Sequence, residues 1–141
     1  MSTRFSCGTL DCCKHPSYQD LEGLRVSSHF FIDRSGRLFQ YVSCLDRAWH
    51  AGVSSYEGRE NCNDFSIGVE LEGTDSAPYE QAQYETLGRL TDALAEAYPI
   101  KYVTGHSMIA PLRKTDPGPA FDWLTYESLC TTGKPLCFPY V

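Results

Sequence analysis

The chain has 141 residues, which is enough for one domain and too few for two of ordinary size. Hydrophobic residues make up 42% and charged residues 21%, a composition typical of a globular protein with a buried core. The net charge of −6 argues against a nucleic-acid partner, and no apolar run reaches the length of a membrane span or leads from a signal peptide. We therefore predict one cytoplasmic, monomeric domain over residues 1–141.

The seven cysteines indicate reduced thiols. An odd number without an export signal is typical of a cytosolic protein and does not indicate a disulfide framework. The run Cys12-Cys13-Lys14-His15 lacks the second half of a metal cluster, so we interpret it as a surface loop. No cysteine lies in a recognisable nucleophile setting, which argues against a thiol protease.

The first part of the chain predicts a β-hairpin. Residues 1–23 are rich in turn formers and are predicted to form loops or a short helix. In Leu24–Ile32 apolar and polar side chains alternate, as on a strand with one buried face. Turn residues follow at 33–36, and Leu38–Val42 is predicted to be the returning strand.

A second strand region follows a long predicted loop that contains Trp49-His50. Phe65–Glu72 alternates clearly, with apolar residues on one face and Ser66, Gly68, Glu70 and Glu72 on the other. The two small residues are expected to leave open space in front of the two carboxylates.

The remaining elements complete a mixed α/β pattern. Residues 80–98 predict a helix whose buried stripe consists of Leu87, Leu90, Leu94 and Ala97. It is expected to end at Tyr98 because a residue before proline is driven out of helical geometry. Residues 100–103 predict a short strand, after which a loop begins. The fold class is therefore predicted to be α/β, with a mixed central sheet flanked by helices.

The loop from Gly105 to Asp122 carries the strongest chemical signal. His106 follows a predicted strand, and Asp116 lies ten residues later in a segment stiffened by two prolines and a glycine. Imidazole and carboxylate are both zinc ligands, and a catalytic zinc site uses three protein ligands and a water. Two such residues alone are a weak signal, and ordinary surface residues remain the alternative.

A family resemblance strengthens this interpretation. The stretches that carry it are LRVSSHFFIDRSG (24–36), RAWHAGVSSYEGRENCNDFSIGVELEGTD (47–75) and TGHSMIAPLRKTDPGPAFDW (104–123). In this order they resemble the AmpD branch of the N-acetylmuramoyl-L-alanine amidases, a zinc amidase fold shared with peptidoglycan recognition proteins and phage T7-type lysozymes. The resemblance extends over about residues 6–125.

The resemblance implies roles for individual residues. His106 and Asp116 match two of the family's three zinc ligands, so it implies Zn²⁺ as the cofactor. Glu70 matches the general base. Lys114 matches the cation that stabilises the tetrahedral oxyanion.

It also implies a muropeptide as the partner of the site. Arg25 and Arg59 match positions near the bound peptide, whose carboxylates would pair with them. His29 and His50 are either substrate contacts or structural histidines, and Trp49 either lines the sugar-binding wall or packs its loop.

Each catalytic role has an ordinary structural alternative. Glu70 alone could be a solvent-facing strand residue, and Lys114 could pair with a surface acid. Glu72 is expected to be a spectator that holds a turn or a basic side chain.

The sequence departs from the family pattern at both ends. The family's first zinc ligand is a histidine at the end of an apolar strand, which residues 1–14 do not contain. We expect an N-terminally truncated reading of a complete enzyme. The alternative is that the shortened form is real and keeps two inherited ligands, to which His15 or His29 could add a third, although neither matches the family's position. Residues 126–141 have no family counterpart, and the prolines in 131–141 predict loose structure there.

The sequence therefore predicts a zinc-dependent hydrolase of cell-wall recycling. By resemblance, it cleaves the amide between (anhydro-)N-acetylmuramic acid and L-alanine. The alternative is a non-catalytic muropeptide-binding domain or an inactive fragment, because the first zinc ligand is not visible in the sequence.

Overall fold

The fold was analysed in a computed structural model that describes residues 28–74 and 76–139. Its strands are β1 (Phe30–Ile32), β2 (Leu38–Gln40), β3 (Ser55–Tyr56), β4 (Arg59–Glu60) and β5 (Val69–Leu71). Its helices are α1 (Gln81–Ala97), α2 (His106–Ile109) and α3 (Trp123–Leu129), and a 3₁₀ turn spans Cys62–Asp64. None of the described helices combines the length and apolarity that a membrane crossing requires.

The main sheet is mixed, which confirms the predicted fold class. Its order is β2-β1-β5, with β1 antiparallel to β2 and parallel to β5. Strands β3 and β4 form a separate hairpin inside the segment predicted to be a long loop. Phe65–Glu72 was predicted to be one strand, but only Val69–Leu71 pairs, because the chain is still leaving the 3₁₀ turn at residue 66, where Ser66 Oγ donates to Cys62 O at 2.6 Å.

The turn between β1 and β2 is organised by the carboxylate of Asp33. It accepts hydrogen bonds from the backbone N–H and hydroxyl of Ser35 and from the backbone and Nε of Arg37, at 2.6–3.0 Å. Gly36 has φ +86°, and a Cβ there would lie 2.7 Å from the carbonyl oxygen of Ala82. The hairpin therefore packs closely on α1 only because this position is glycine.

Helix α1 begins with a capping box and is joined to both parallel strands. The side chains of Glu80 and Gln83 each bond the other's backbone N–H. Gln83 is fully buried, and its Nε2 donates to the carbonyl of Glu72 at 2.9 Å and lies 3.5 Å from that of Ile32. The helix ends at Ala97, as expected, but Ala97 itself is exposed and does not belong to the buried stripe.

The core lies between the sheet, α1 and α3. Phe121 is at its centre and makes ring contacts at 4.8–5.9 Å with four aromatic residues, which are Tyr79, Tyr84, Trp123 and Tyr126. The hydroxyls of Tyr126 and Thr91 are hydrogen-bonded at 2.7 Å, so the buried phenol has a polar partner.

The C-terminal segment is better ordered than its prolines predicted. Helix α3 extends past residue 125, and the Asp92 carboxylate accepts the backbone N–H groups of Thr131 and Thr132. Beyond these bonds, Cys137 exchanges backbone hydrogen bonds with Lys101 and Val103, each 2.9 Å. The strand predicted at 100–103 is therefore reduced to an isolated bridge whose partner comes from the tail.

The Asp33 turn predicts an acid-sensitive contribution to stability. Desolvation raises the pKa of Asp33, but the hydrogen bonds from Ser35 and Arg37 outweigh it and lower the pKa from 3.8 to about 2. A depressed carboxyl pKa stabilises the fold above the unfolded-state value, and this contribution is lost as pH falls toward 2. Because Arg37 is exposed to solvent, we expect Asp33 to contribute only about 1–2 kcal/mol to the free energy of unfolding. Chemical denaturation between pH 5 and 2 should show this loss.

Asp33→Asn should remove most of that pH dependence, whereas Glu85→Gln on the exposed face of α1 should leave it unchanged. An Asp33→Asn variant with the same pH dependence as the wild type would contradict this account.

Candidate active site

A cavity of about 520 Å³ lies between β5, helix α1 and the segment that leads into α2. Its apolar lining includes Val69, Leu71 and Leu87, and its polar lining includes Glu70, His50, His106 and Asp116. The structure therefore brings together around one space residues that are far apart in sequence. A largely apolar cavity with a few converging polar groups is the usual form of a small-molecule site.

His106 and Asp116 are adjacent, as their proposed common role requires. His106 is the first residue of α2, and the N–H of the following residue donates to the carbonyl of Asp116 at 2.8 Å. The Nδ1 atom of His106 lies 3.2 Å from Oδ2 of Asp116, and both side chains are largely buried. Tyr79 Oη donates to the carbonyl of Pro117 at 2.9 Å, which holds the other end of this segment.

The carbonyl of Ala51 joins a second loop to this pair. It accepts a hydrogen bond from Nε2 of His106 at 2.9 Å and from the guanidinium of Arg113 at 2.6 Å. Arg113 also donates to the carbonyl of Val53 at 2.9 Å. Sequence reasoning did not identify Arg113, because its partners are backbone carbonyls about sixty residues away.

The chemistry of the pair fits zinc, but the set of donors is incomplete. An imidazole nitrogen and a carboxylate oxygen are both ordinary zinc ligands. Among residues 28–74 and 76–139, no group of three or more His, Cys, Asp or Glu side chains could hold a metal ion. Within residues 28–74 and 76–139, His106 and Asp116 therefore form a pair of candidate ligands, one fewer than the three protein ligands of a catalytic zinc site.

Glu70 lines the cavity and is only 8% exposed, so it is not the solvent-facing strand residue of the alternative interpretation. Glu72 has a different environment. It is exposed, and its carboxylate accepts the backbone N–H of Arg34 at 2.8 Å. This contact agrees with the expectation that Glu72 holds a turn.

His29 has a structural environment. It is 1% exposed, its Nδ1 accepts the N–H of Gly68 at 3.0 Å, and its Nε2 donates to the carbonyl of Asp46 at 2.8 Å. Burial lowers the pKa of His29, although the bond to Asp46 opposes this, and the ring stays neutral near pH 7. Both ring nitrogens of His29 are therefore bonded within the protein, and His29 is not among the residues that line the cavity.

His50 fills the space that was expected to be open beside Gly68. A Cβ on Gly68 would lie 2.4 Å from Cγ of His50, so the ring sits directly on the glycine. Its Nε2 lies 3.2 Å from Ser66 Oγ, and the backbone N–H groups of His50 and Ala51 both donate to Oδ1 of Asn63. Burial, with nearby His29 and His106, lowers the pKa of His50 to about 4. The ring is therefore neutral at physiological pH.

Besides His29, two predicted site residues do not line the cavity. Lys114 is half-buried at the end of the turn after α2, where its backbone N–H donates to the carbonyl of Ala110. Trp49 is 44% exposed, and the guanidinium of Arg47 lies 3.9 Å from its ring centroid. The structure does not bring either side chain to the lining around Glu70.

The two predicted arginines differ. Arg59 lines the outer part of the cavity, and its guanidinium lies 4.1 Å from the ring centroid of Phe65. This cation–π contact holds a positive charge near the apolar wall. Arg25 and His15 lie outside the described residues.

Comparisons with known proteins give a consistent relationship. The model of the N-acetylmuramoyl-L-alanine amidase family, Amidase_2, matches residues 2–119. The 1,6-anhydro-N-acetylmuramyl-L-alanine amidase AmpD of Citrobacter freundii is 56% identical over 126 residues, 88% of this chain and 67% of that protein. AmpD of Escherichia coli K12 is 56% identical over 124 residues, 86% of this chain and 68% of that protein. The chain therefore spans about two thirds of the length of these relatives.

Solved structures agree with the sequence matches. The crystal structure of a Se-Met AmpD derivative has a TM-score of 0.76 and 54% identity, covering 88% of this chain and 70% of that one. A complex of the amidase AmiD from Escherichia coli with anhydro-N-acetylmuramic acid-L-Ala-D-gamma-Glu-L-Lys has a TM-score of 0.73 and 36% identity. It covers 83% of this chain and 52% of AmiD.

The contact between His50 and Gly68 predicts that the cavity wall does not accept a methyl group at position 68. Gly68→Ala should destabilise the protein by about 1–3 kcal/mol, the usual cost of overpacking. Thermal unfolding would measure this effect. Gly133→Ala is the matched control, since a Cβ at Gly133 meets no atom within 4 Å.

If the cost comes from His50, it should shrink when His50→Ala is combined with Gly68→Ala. An equal cost in both backgrounds would show that the clash with the imidazole is not its cause.

Proposed function

Since the chain belongs to the N-acetylmuramoyl-L-alanine amidase family, we propose that it hydrolyses the amide between (anhydro-)N-acetylmuramic acid and L-alanine in peptidoglycan fragments. The observation that carries this proposal is the convergence of Glu70, His106 and Asp116 on one cavity. The names of the AmpD relatives specify the anhydro-muramyl-L-alanine bond, and AmiD was solved with an anhydro-muramyl peptide.

In this mechanism His106 and Asp116 are two zinc ligands, and the bound zinc would act as a Lewis acid on the scissile carbonyl. A metal on His106 requires that one of its two ring nitrogens give up its present hydrogen bond. Arg113 fixes the carbonyl of Ala51 independently, so the 51–53 loop keeps an anchor when that happens.

Glu70 is the general base. It accepts a proton from the attacking water and passes it to the nitrogen of L-alanine as the carbon–nitrogen bond breaks. Burial keeps this carboxylate away from bulk water, so its proton transfer is directed to groups inside the cavity. Lys114 is proposed to stabilise the oxyanion, a role supported by its place two residues before Asp116.

The substrate is proposed to lie across the outer cavity. Arg59, held against Phe65, supplies a cation for a stem-peptide carboxylate, and Arg25 is proposed as a second. Trp49 presents an exposed aromatic face beside Arg47, which suits packing against a sugar ring.

We further propose that residues 1–141 form one monomeric amidase domain that acts in cytoplasmic cell-wall recycling. The four cysteines within the described residues are free thiols, as a reducing compartment requires.

The catalytic role of Glu70 can be tested against its neighbour on the same strand. Glu70→Gln should lower hydrolysis of anhydro-muramyl peptide by about 100-fold or more, because an amide does not accept the proton. Glu72→Gln removes a carboxylate two residues away that only holds a turn, and it should retain activity near that of the wild type. Chromatographic measurement of released stem peptide checks both. Equal activities of the wild type and Glu70→Gln would exclude the proposed base.

The zinc requirement can be measured separately. Purified protein should contain close to one zinc per chain, and His106→Ala should lose both the metal and the activity. Elemental analysis with and without chelator treatment provides the measurement.

A second function is favoured by one observation: the described residues contain no group of three or more His, Cys, Asp or Glu side chains that could hold a metal ion. A chain that is folded and free of metal, and that binds anhydro-muramyl peptide without cleaving it, would support a binding domain instead of an amidase.

A further inference from the structure

The position of His50 beside the base is determined by a glycine. Gly68 directly precedes β5, and the His50 ring occupies the place that a side chain on Gly68 would take. Side chains two apart on an extended strand share a face and lie about 6–7 Å apart. The imidazole therefore lies beside Glu70 along the cavity wall, in the place of the missing side chain of residue 68.

A short hydrogen-bond chain determines which nitrogen of His50 carries the proton. Ser66 Oγ is 2.6 Å from the carbonyl of Cys62, which can only accept, so the hydroxyl donates its single hydrogen there. The bond of 3.2 Å between Ser66 Oγ and His50 Nε2 must then use a hydrogen from Nε2. In the neutral ring this leaves Nδ1 with its lone pair.

The Nδ1 atom has no hydrogen-bond partner among residues 28–74 and 76–139. The three hydrogen bonds of His50 and its loop use its Nε2 and the backbone N–H groups of His50 and Ala51. The ring is partly exposed and belongs to the cavity lining. His50 is therefore a fixed acceptor beside the base, and it suits a substrate group that donates a hydrogen bond.

We propose that Nδ1 of His50 accepts a hydrogen bond from the N–H of the scissile amide, an inference that rests on the proposed function. The other polar group of that bond, its carbonyl, is itself an acceptor and has no hydrogen to offer. Holding the N–H toward His50 turns the developing nitrogen lone pair away from the ring. The lone pair of the nitrogen can then receive the proton that Glu70 has taken from the attacking water. The hydroxyl of that water remains on the muramyl carbonyl carbon.

Two substitutions separate the two nitrogens of the ring. The terminal group of glutamine reaches the position of Nε2, so His50→Gln keeps a donor for Ser66 but has no acceptor at Nδ1. The oxygen of asparagine lies one bond from Cγ, as Nδ1 does, so His50→Asn restores an acceptor there. A merely structural role would favour the larger glutamine, whereas the proposed contact favours asparagine.

The experiment compares two substrates in these variants. One is an anhydro-muramyl peptide, and the other is its depsipeptide, in which an ester oxygen replaces the scissile N–H. On the amide, His50→Gln should lower kcat/KM by about tenfold, the value of one hydrogen bond, and His50→Asn by about threefold or less. On the ester, both variants should lie within about twofold of the wild type, since it offers no hydrogen to Nδ1.

Equal losses on the two substrates, or a larger loss for His50→Asn than for His50→Gln on the amide, would overturn the contact with the N–H. Ser66→Ala provides a variant that leaves the imidazole in place. Because the ring is then no longer held in one tautomer, Ser66→Ala should lower kcat/KM on the amide less than His50→Gln does, and should leave kcat/KM on the ester unchanged. If the wild type cleaves neither substrate, the proposed function itself fails. If it cleaves both and the substitutions do not distinguish them, only the role of His50 fails.

Discussion

The side-chain amide of Gln83 is the interaction that connects the parts of this fold. It caps helix α1 through the N–H of Glu80 and donates to the carbonyl of Glu72, just past the end of β5. Because the Gln83 amide is fully buried, leaving one of its hydrogen bonds unmade would cost free energy. This fixes the position of the helix relative to the sheet. That position fixes β5 against α1 and thereby determines where Glu70 lies in the cavity.

Local sequence patterns predicted the scaffold well. Alternation indicated β1, β2 and β5, turn formers indicated the Asp33 hairpin, and the proline after Tyr98 correctly ended α1. The pairing partner of residues 101–103 was missed because it comes from Cys137, and no local pattern reports a contact across more than thirty residues. The ordered tail was missed for the same reason, since the hydrogen bonds that Asp92 accepts from Thr131 and Thr132 depend on tertiary position and not on the prolines of the tail.

The sequence predicted which residue types form the candidate site better than it predicted how they are arranged. His106 and Asp116 alone were a weak signal, and the family resemblance implied their common role; their side chains lie 3.2 Å apart in the structure. Gly68 was expected to leave open space in front of the carboxylates, whereas the His50 ring packs directly against it. Sequence alone could not distinguish His29 from His50, because their difference lies in burial and in which ring nitrogen is already bonded.

The bridge between Cys137 and residues 101–103 has a consequence for synthesis of the protein. The segment that leads into His106 leaves the ribosome more than thirty residues before Cys137, with which it pairs. During translation the backbone before His106 therefore waits without its partner, while α1 and the hairpin can already form. The loop that carries His106 and Asp116 is then among the last parts of the molecule to become rigid, because its anchoring segment pairs only after the tail has emerged.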